Sequence, residues 1–153
     1  MMPIQGLDSI MASPILAGST AQESAIGRAW LRAHANDYDS VEFNVRVGKG
    51  VGLPPGTPEY VGLAAYAGTT KRIDIVAHRG SSIDIVELKE VLGLGAIGQL
   101  LGYAHLYLAD HPQTGHVGMI AAGLMTQADV APVYTKSGIA VELFPAAQLS
   151  SVA

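Results

Sequence analysis

Asp74 and the triplet Glu87-Leu88-Lys89 are the residues of this chain whose types and spacing carry the most chemistry. They sit in Arg72–Lys89, where two β-rich runs, Ile73-Asp74-Ile75-Val76 and Ile83-Asp84-Ile85-Val86-Glu87-Leu88, meet at Gly80-Ser81. A two-residue turn with Gly first predicts a hairpin in which Arg79 faces Ser82, and counting back along both strands sets Asp74 opposite Glu87. Side chains alternate along a strand, so Lys89 shares a face with Glu87 and Arg72 with Asp74, while Asp84 points the other way. Like charges directly opposite each other destabilise a sheet, so a cation held between the two carboxylates would account for the pairing. The alternative is a surface ion-pair ladder completed by Arg72.

The elements that must position these groups follow from local pattern. Ser19 or Thr20 can cap a helix from Ala21 to Ala35, with Glu23 in its first turn, where a carboxylate suits the helix dipole. Ile26, Ala29, Trp30 and Ala33 recur along it at helical spacing. Val41 to Val47 alternates strictly and predicts a half-buried strand. The stretch Gly48–Thr70, rich in Gly and Pro, predicts a long binding or partner loop in which Tyr60–Tyr66 pairs as an edge strand. After the hairpin, Ala96–Ala109 reads as a helix with Ile97, Leu100, Leu101, Ala104 and Leu108 as its buried stripe and Gln99, Tyr103 and Tyr107 on an adjoining face. Val117–Ala122 predicts a buried strand, and Ile139–Phe144 a last one. Helix, strand, hairpin, helix, strand is the order of an α/β sandwich with a mixed sheet.

A chain of 153 residues suits one domain. It divides into an apolar leader, 1–20, expected to meet a partner or another copy; a core, 21–123; and an extension of the same domain, 124–153. Charged residues make up only 14%, low for a soluble domain, which predicts a homo-oligomer or a subunit of a larger assembly. The net charge of −4 gives no general attraction to nucleic acid, yet every Lys and Arg except Lys136 lies between Arg28 and Lys89, so a phosphate-facing surface must come from there. Without cysteine, thiolate nucleophiles and Cys-ligated zinc are excluded. His111 and His116 flank a Pro/Gly turn and predict no zinc site. No apolar run reaches membrane-spanning length, and the lack of Lys or Arg before Arg28 argues against a signal peptide, so a cytoplasmic location is expected.

The chain resembles the PD-(D/E)XK nuclease superfamily over about Ala21–Ala122. The likeness rests on Asp74 in Arg-Ile-Asp-Ile, on Glu87-Leu88-Lys89 as the E-x-K element, on Glu23 as the carboxylate of the preceding helix, and on Gln99-Leu100-Leu101-Gly102-Tyr103. The last is similar to the Q-x-x-x-Y element of the RecB-like and λ-exonuclease-like branch. No Pro precedes Asp74, a position the superfamily often leaves unfilled. The resemblance implies a restriction-endonuclease-like α/β/α sandwich and Mg²⁺- or Mn²⁺-dependent hydrolysis of DNA. Asp74, Glu87, the Leu88 carbonyl and Glu23 would serve the metal, a hard oxygen set that suits a partly hydrated octahedral ion. Lys89 would act on the attacking water or offset charge, Gln99 would support catalysis, and Tyr103, Arg72 and Arg28 would bind substrate, with Lys71 and Arg32 as further phosphate contacts. Glu23 could equally be an ordinary first-turn acid, and Gln99 and Tyr103 the polar margin of a core face. The alternative function is a nuclease fold used as a structural or adaptor subunit, such as a virion component.

Overall fold

In the computed structural model, which describes residues 4, 6–12, 16, 19–146 and 149, the chain forms a five-stranded mixed sheet covered by helices on both faces. In chain order the elements are α1 (Leu7–Ala12), α2 (Ala21–Ala33), β1 (Ser40–Val47), α3 (Glu59–Thr69), β2 (Lys71–Arg79), β3 (Ser82–Leu92), α4 (Leu94–Asp110), β4 (Val117–Thr126), α5 (Ala131–Lys136) and β5 (Ala140–Leu143). The strands lie side by side in sequence order. β2 runs antiparallel to both its neighbours, β1 and β3, whereas β4 and β5 are added parallel, each after a helical crossover. The expected α/β sandwich with a mixed sheet is the fold observed. No helix among the described residues is long and apolar enough to cross a membrane.

Alternation along β3 divides the core. Ile83 and Ile85 pack beneath α4 and α5 with Ile97, Leu100, Tyr107 and Tyr134. Val86 and Leu88 pack beneath α2 with Ile26, Trp30 and Leu31. α2 settles close to the sheet because Gly27 has no side chain: a Cβ there would lie 2.6 Å from Leu16 Cδ1 and 3.0 Å from Leu88 Cδ1. Its start is fixed by a capping box, in which Thr20 Oγ1 accepts from Glu23 N at 3.2 Å and Glu23 Oε2 accepts from Thr20 N at 3.0 Å. On the other face, Tyr134 of α5 donates to Gly93 O at 2.5 Å, which ties down the entry to α4.

Two expectations change, on α3 and α4, and the structure adds two features to the reading. Residues 60–66 form no edge strand but most of α3, an apolar helix that follows Pro58 and whose described side chains all lie outside the buried core; its backbone bonds within the helix rather than to the open edge of the sheet. On α4 the buried set is Ala96, Ile97, Leu100, Tyr103 and Tyr107, while Leu101 and Leu108 are exposed; the tyrosines turn their rings inward and shift the stripe. The leader, where described, is held by this chain: Ile4 and Leu16 are buried in the α2-side core, Ile4 N donates to Ala35 O and Leu16 N to Ser24 Oγ, both at 2.8 Å. Its remaining positions, and 147, 148 and 150–153, lie outside the described residues. α1 and α5, six residues each, are too short for a periodic signal and were not anticipated.

Candidate active site

Arg79 faces Ser82 across a turn whose Gly80 has φ +58, the left-handed conformation that a primed turn requires. The register this sets runs only as far as Ile75↔Val86. At the next position, where Asp74 would face Glu87, the ladder opens: the Asp74 carboxylate accepts the Leu88 N–H at 2.8 Å in place of a backbone partner. β1 shows the same lapse, since its pairs with β2 skip from Phe43↔Ile75 to Val45↔Ile73. The unpaired residue there, Asn44, has φ +55, a conformation Asn tolerates better than other non-glycine residues. Beyond Asp74 the start of β2 therefore parts from the end of β3.

A polar cleft of about 450 Å³ occupies the gap. β2 and the residue before it contribute Thr70, Lys71, Arg72 and Asp74, β1 contributes Asn44, and β3 contributes Glu87 and Lys89. The first turn of α2 brings Glu23 and α4 brings Gln99 and Tyr103. Every expected site residue except Arg28 and Arg32 thus borders one cleft or, as Leu88 does, bonds a residue in it; these two arginines lie further along α2, outside its lining. Asp84 lies away from the cleft, as alternation requires, and accepts from the Tyr38 hydroxyl. Asn44 and Thr70 were not foreseen. The signal for Asn44 was a turn-forming residue inside a strand that otherwise alternates cleanly.

Glu87 is the least solvated of these groups, at 2% exposure. Its Oε1 lies 3.1 Å from Lys89 Nζ. Its Oε2 and Trp30 Nε1 are the two buried side-chain polar atoms, among the described residues, that lack a hydrogen-bond partner. An unpaired indole N–H costs about 1–3 kcal/mol and a charged carboxylate oxygen more, so the Glu87 site is the greater anomaly. Its carboxylate neighbour Asp74 can satisfy it only when one of the two holds a proton. Burial, and then the Asp74 charge, push Glu87 up to about 7, and burial also raises Asp74. Burial alone would lower Lys89, but the carboxylates of Glu87, Asp74 and Glu23 together raise it, so it stays protonated. Tyr103, which accepts from Gln99 Nε2 at 3.1 Å, is raised chiefly by burial and remains a neutral donor.

An unpartnered oxygen on a buried carboxylate, beside a second carboxylate in a polar cleft, fits a hard divalent cation. Glu23 is placed differently from Asp74 and Glu87: no three Asp, Glu or His side chains among the described residues gather closely enough to hold an ion by themselves, and the Glu23 carboxylate closes the capping box. It borders the cleft without completing a ligand triad.

Close packing of β4 holds this edge of β3 in place. Gly123 pairs with Lys89, and a Cβ on Gly123 would lie 2.6 Å from the Lys89 carbonyl oxygen and 2.9 Å from Leu92 Cγ. Since a backbone atom must yield, Gly123→Ala is expected to destabilise the fold by about 1–3 kcal/mol, measurable by urea denaturation; unchanged stability would show that β3 can shift freely at Lys89.

A solved structure titled "Crystal Structure of Protein of Unknown Function AF1548" aligns with a TM-score of 0.47 and 13% identity over 78% of this chain and 56% of that one, so the chain spans little more than half its length. No protein-family model matches the chain, and no curated protein matches it.

Proposed function

We propose that the protein is a metal-dependent nuclease that hydrolyses phosphodiester bonds in DNA, with the cleft at Asp74 and Glu87 as its active site. The observation that carries this reading is the unpartnered Glu87 Oε2 beside Asp74 and Lys89. Asp74 and Glu87, with the Leu88 carbonyl, would hold Mg²⁺ or Mn²⁺, which when bound supplies positive charge at the reacting phosphate and acidifies the attacking water. The chain's own groups do the rest. Lys89 presents an ammonium to the water or to a phosphate oxygen, Tyr103 donates its hydroxyl to phosphate with Gln99 fixing its position, and Lys71 and Arg72, exposed at the mouth, bind flanking phosphates. Glu23 is a positioning residue that starts α2 at the cleft's rim.

Incubating linear, circular and branched DNA with Mg²⁺, Mn²⁺ or chelator tests the assignment. Cleavage should need the divalent ion, and Asp74→Ala should lower it by at least about 10³-fold without loss of the cooperative melt. Undiminished cleavage by this variant would end the assignment. Loss of linear substrate alone would indicate an exonuclease, and cutting of circles an endonuclease.

A second reading, an assembly subunit built on this fold, is supported by α3. Tyr60, Leu63 and Tyr66 are 75%, 63% and 43% exposed on a helix with no buried side chain among its described residues, the kind of surface that marks a protein contact. The mass of the purified protein in solution separates the readings: a monomer or small oligomer that cuts DNA favours the nuclease, whereas a large, inert assembly favours the subunit.

A further inference from the structure

Three glycines on α4, Gly95, Gly98 and Gly102, have no local reason to be there. All have ordinary helical backbone, and a Cβ on any of them would meet nothing within 4 Å. Gly98 and Gly102 in the helix interior each lower its stability by about 1 kcal/mol relative to alanine, without enabling any packing among the described residues. Gly98 and Gly102 lie one turn apart and floor a groove of about 410 Å³ whose other walls are Lys71, Gln99, Tyr103 and Leu106. Lys71, Gln99 and Tyr103 also line the carboxylate cleft, so the two spaces adjoin at these side chains. The groove also shares Lys71 and Leu106 with a third hollow, of about 260 Å³, edged by Gly48, Lys49 and Gly50.

We propose that this groove binds an unpaired nucleic-acid strand on one side of the scissile phosphate. The inference rests on the nuclease reading only in taking a polynucleotide as the occupant. Phosphate oxygens would meet Lys71, which borders both the groove and the cleft, and Lys49 in the adjoining hollow, while a base lies flat on the side-chain-free surface over Gly98 and Gly102, against Leu106. Cations alternating with an apolar floor form the pattern by which single strands are held without sequence preference. Side chains at 98 and 102 would fill the space a base needs, which gives these glycines their purpose. The groove hugs one helix, so its occupant is a single strand rather than the wide face of a duplex.

Gly98→Leu and Gly102→Leu, with Lys71→Ala as a variant that leaves the helix untouched, test the proposal by fluorescence anisotropy of labelled single-stranded DNA, single-stranded RNA and duplex in Ca²⁺. Wild type should bind a single strand more tightly than duplex, with either sugar. All three variants should weaken that binding about tenfold or more, and both glycine variants should melt at or above the wild-type temperature. Glycine variants that melt normally and bind like wild type would overturn the proposal, as would wild type that binds no single strand. A change in oligomeric mass with binding unchanged would also overturn it and assign the glycine face to self-association. DNA hydrolysis in Mg²⁺ is scored separately: glycine-dependent strand binding without hydrolysis would sink the nuclease reading and leave the groove standing.

Discussion

Glu87→Gln is expected to stabilise the metal-free protein at pH 8 while abolishing Mg²⁺-dependent cleavage. The two effects have one origin. Glu87 is buried at 2% exposure with one oxygen unpartnered, next to Asp74, and its ionised form is disfavoured until the pH passes about 7. Its ordinary value is 4.5, so the native state binds a proton that the unfolded state has already released between those two pH values. Stability should therefore fall as pH rises through that window, by roughly 3 kcal/mol at most, with Asp74 acting in the same direction. Glutamine keeps the shape, removes the charge and can donate to Asp74. A gain of about 1–3 kcal/mol at pH 8 corresponds to a rise in Tm on the order of 5 °C for a chain of this size, and the stability of the variant should be much flatter between pH 5 and 8.

Divalent metal completes the test, because a ligand that binds only the native state raises its stability. MgCl₂ should raise the Tm of wild type at pH 8 and leave that of Glu87→Gln nearly unchanged. Destabilisation of the variant at pH 8, together with a flat wild-type profile, would show that Glu87 is satisfied by something other than a cation, and the assignment of the cleft as a metal site would fall.

The same residues show how far local pattern reaches. Gly80-Ser81 predicts the hairpin register because a primed turn allows few ways to pair, and Arg79↔Ser82 follows. Extending that register places Asp74 against Glu87, which finds the right neighbours by the wrong contact: the backbone pairing ends at Ile75↔Val86 and the Asp74 side chain takes over Leu88 N. No strand periodicity reports such a split, since it depends on Asn44 leaving the β region on the adjacent strand. Thr70 enters the cleft for a similar reason. It ends α3, accepts from Arg46 Nη1 at 3.1 Å and is buried at the base of the opening. α3 carries no periodic signal, because a helix whose described side chains stay out of the core has no amphipathic stripe, and its Gly and Pro surroundings mimic a loop. By contrast α2 and α4 were legible, since each must cover one face of the sheet and so carries the helical period.

Lys89→Ala should separate metal binding from catalysis. In the metal-free cleft the ammonium lies 3.1 Å from Glu87 Oε1 and is held protonated by Glu87, Asp74 and Glu23. Removing it leaves two carboxylates without their nearest cation, so stability in chelator at pH 8 should drop by about 1 kcal/mol, a modest figure because the lysine side chain is 38% exposed and solvent screens the pair. Added Mg²⁺ then has more charge to neutralise and should raise the Tm of the variant by more than that of wild type. Cleavage should move the other way, falling by about 10²–10⁴-fold, because among the described residues Lys89 is the one whose ammonium pairs with Glu87. Lys89→Arg restores the charge but not its compact geometry, so it should recover metal-free stability and little of the rate. Wild-type cleavage by Lys89→Ala would reduce the lysine to a counter-ion. A parallel loss of the Mg²⁺-induced Tm shift and the rate would make it a support of the metal site instead. Only opposite movements, with a stronger metal response and a slower reaction, match a lysine that acts on the phosphate or its attacking water.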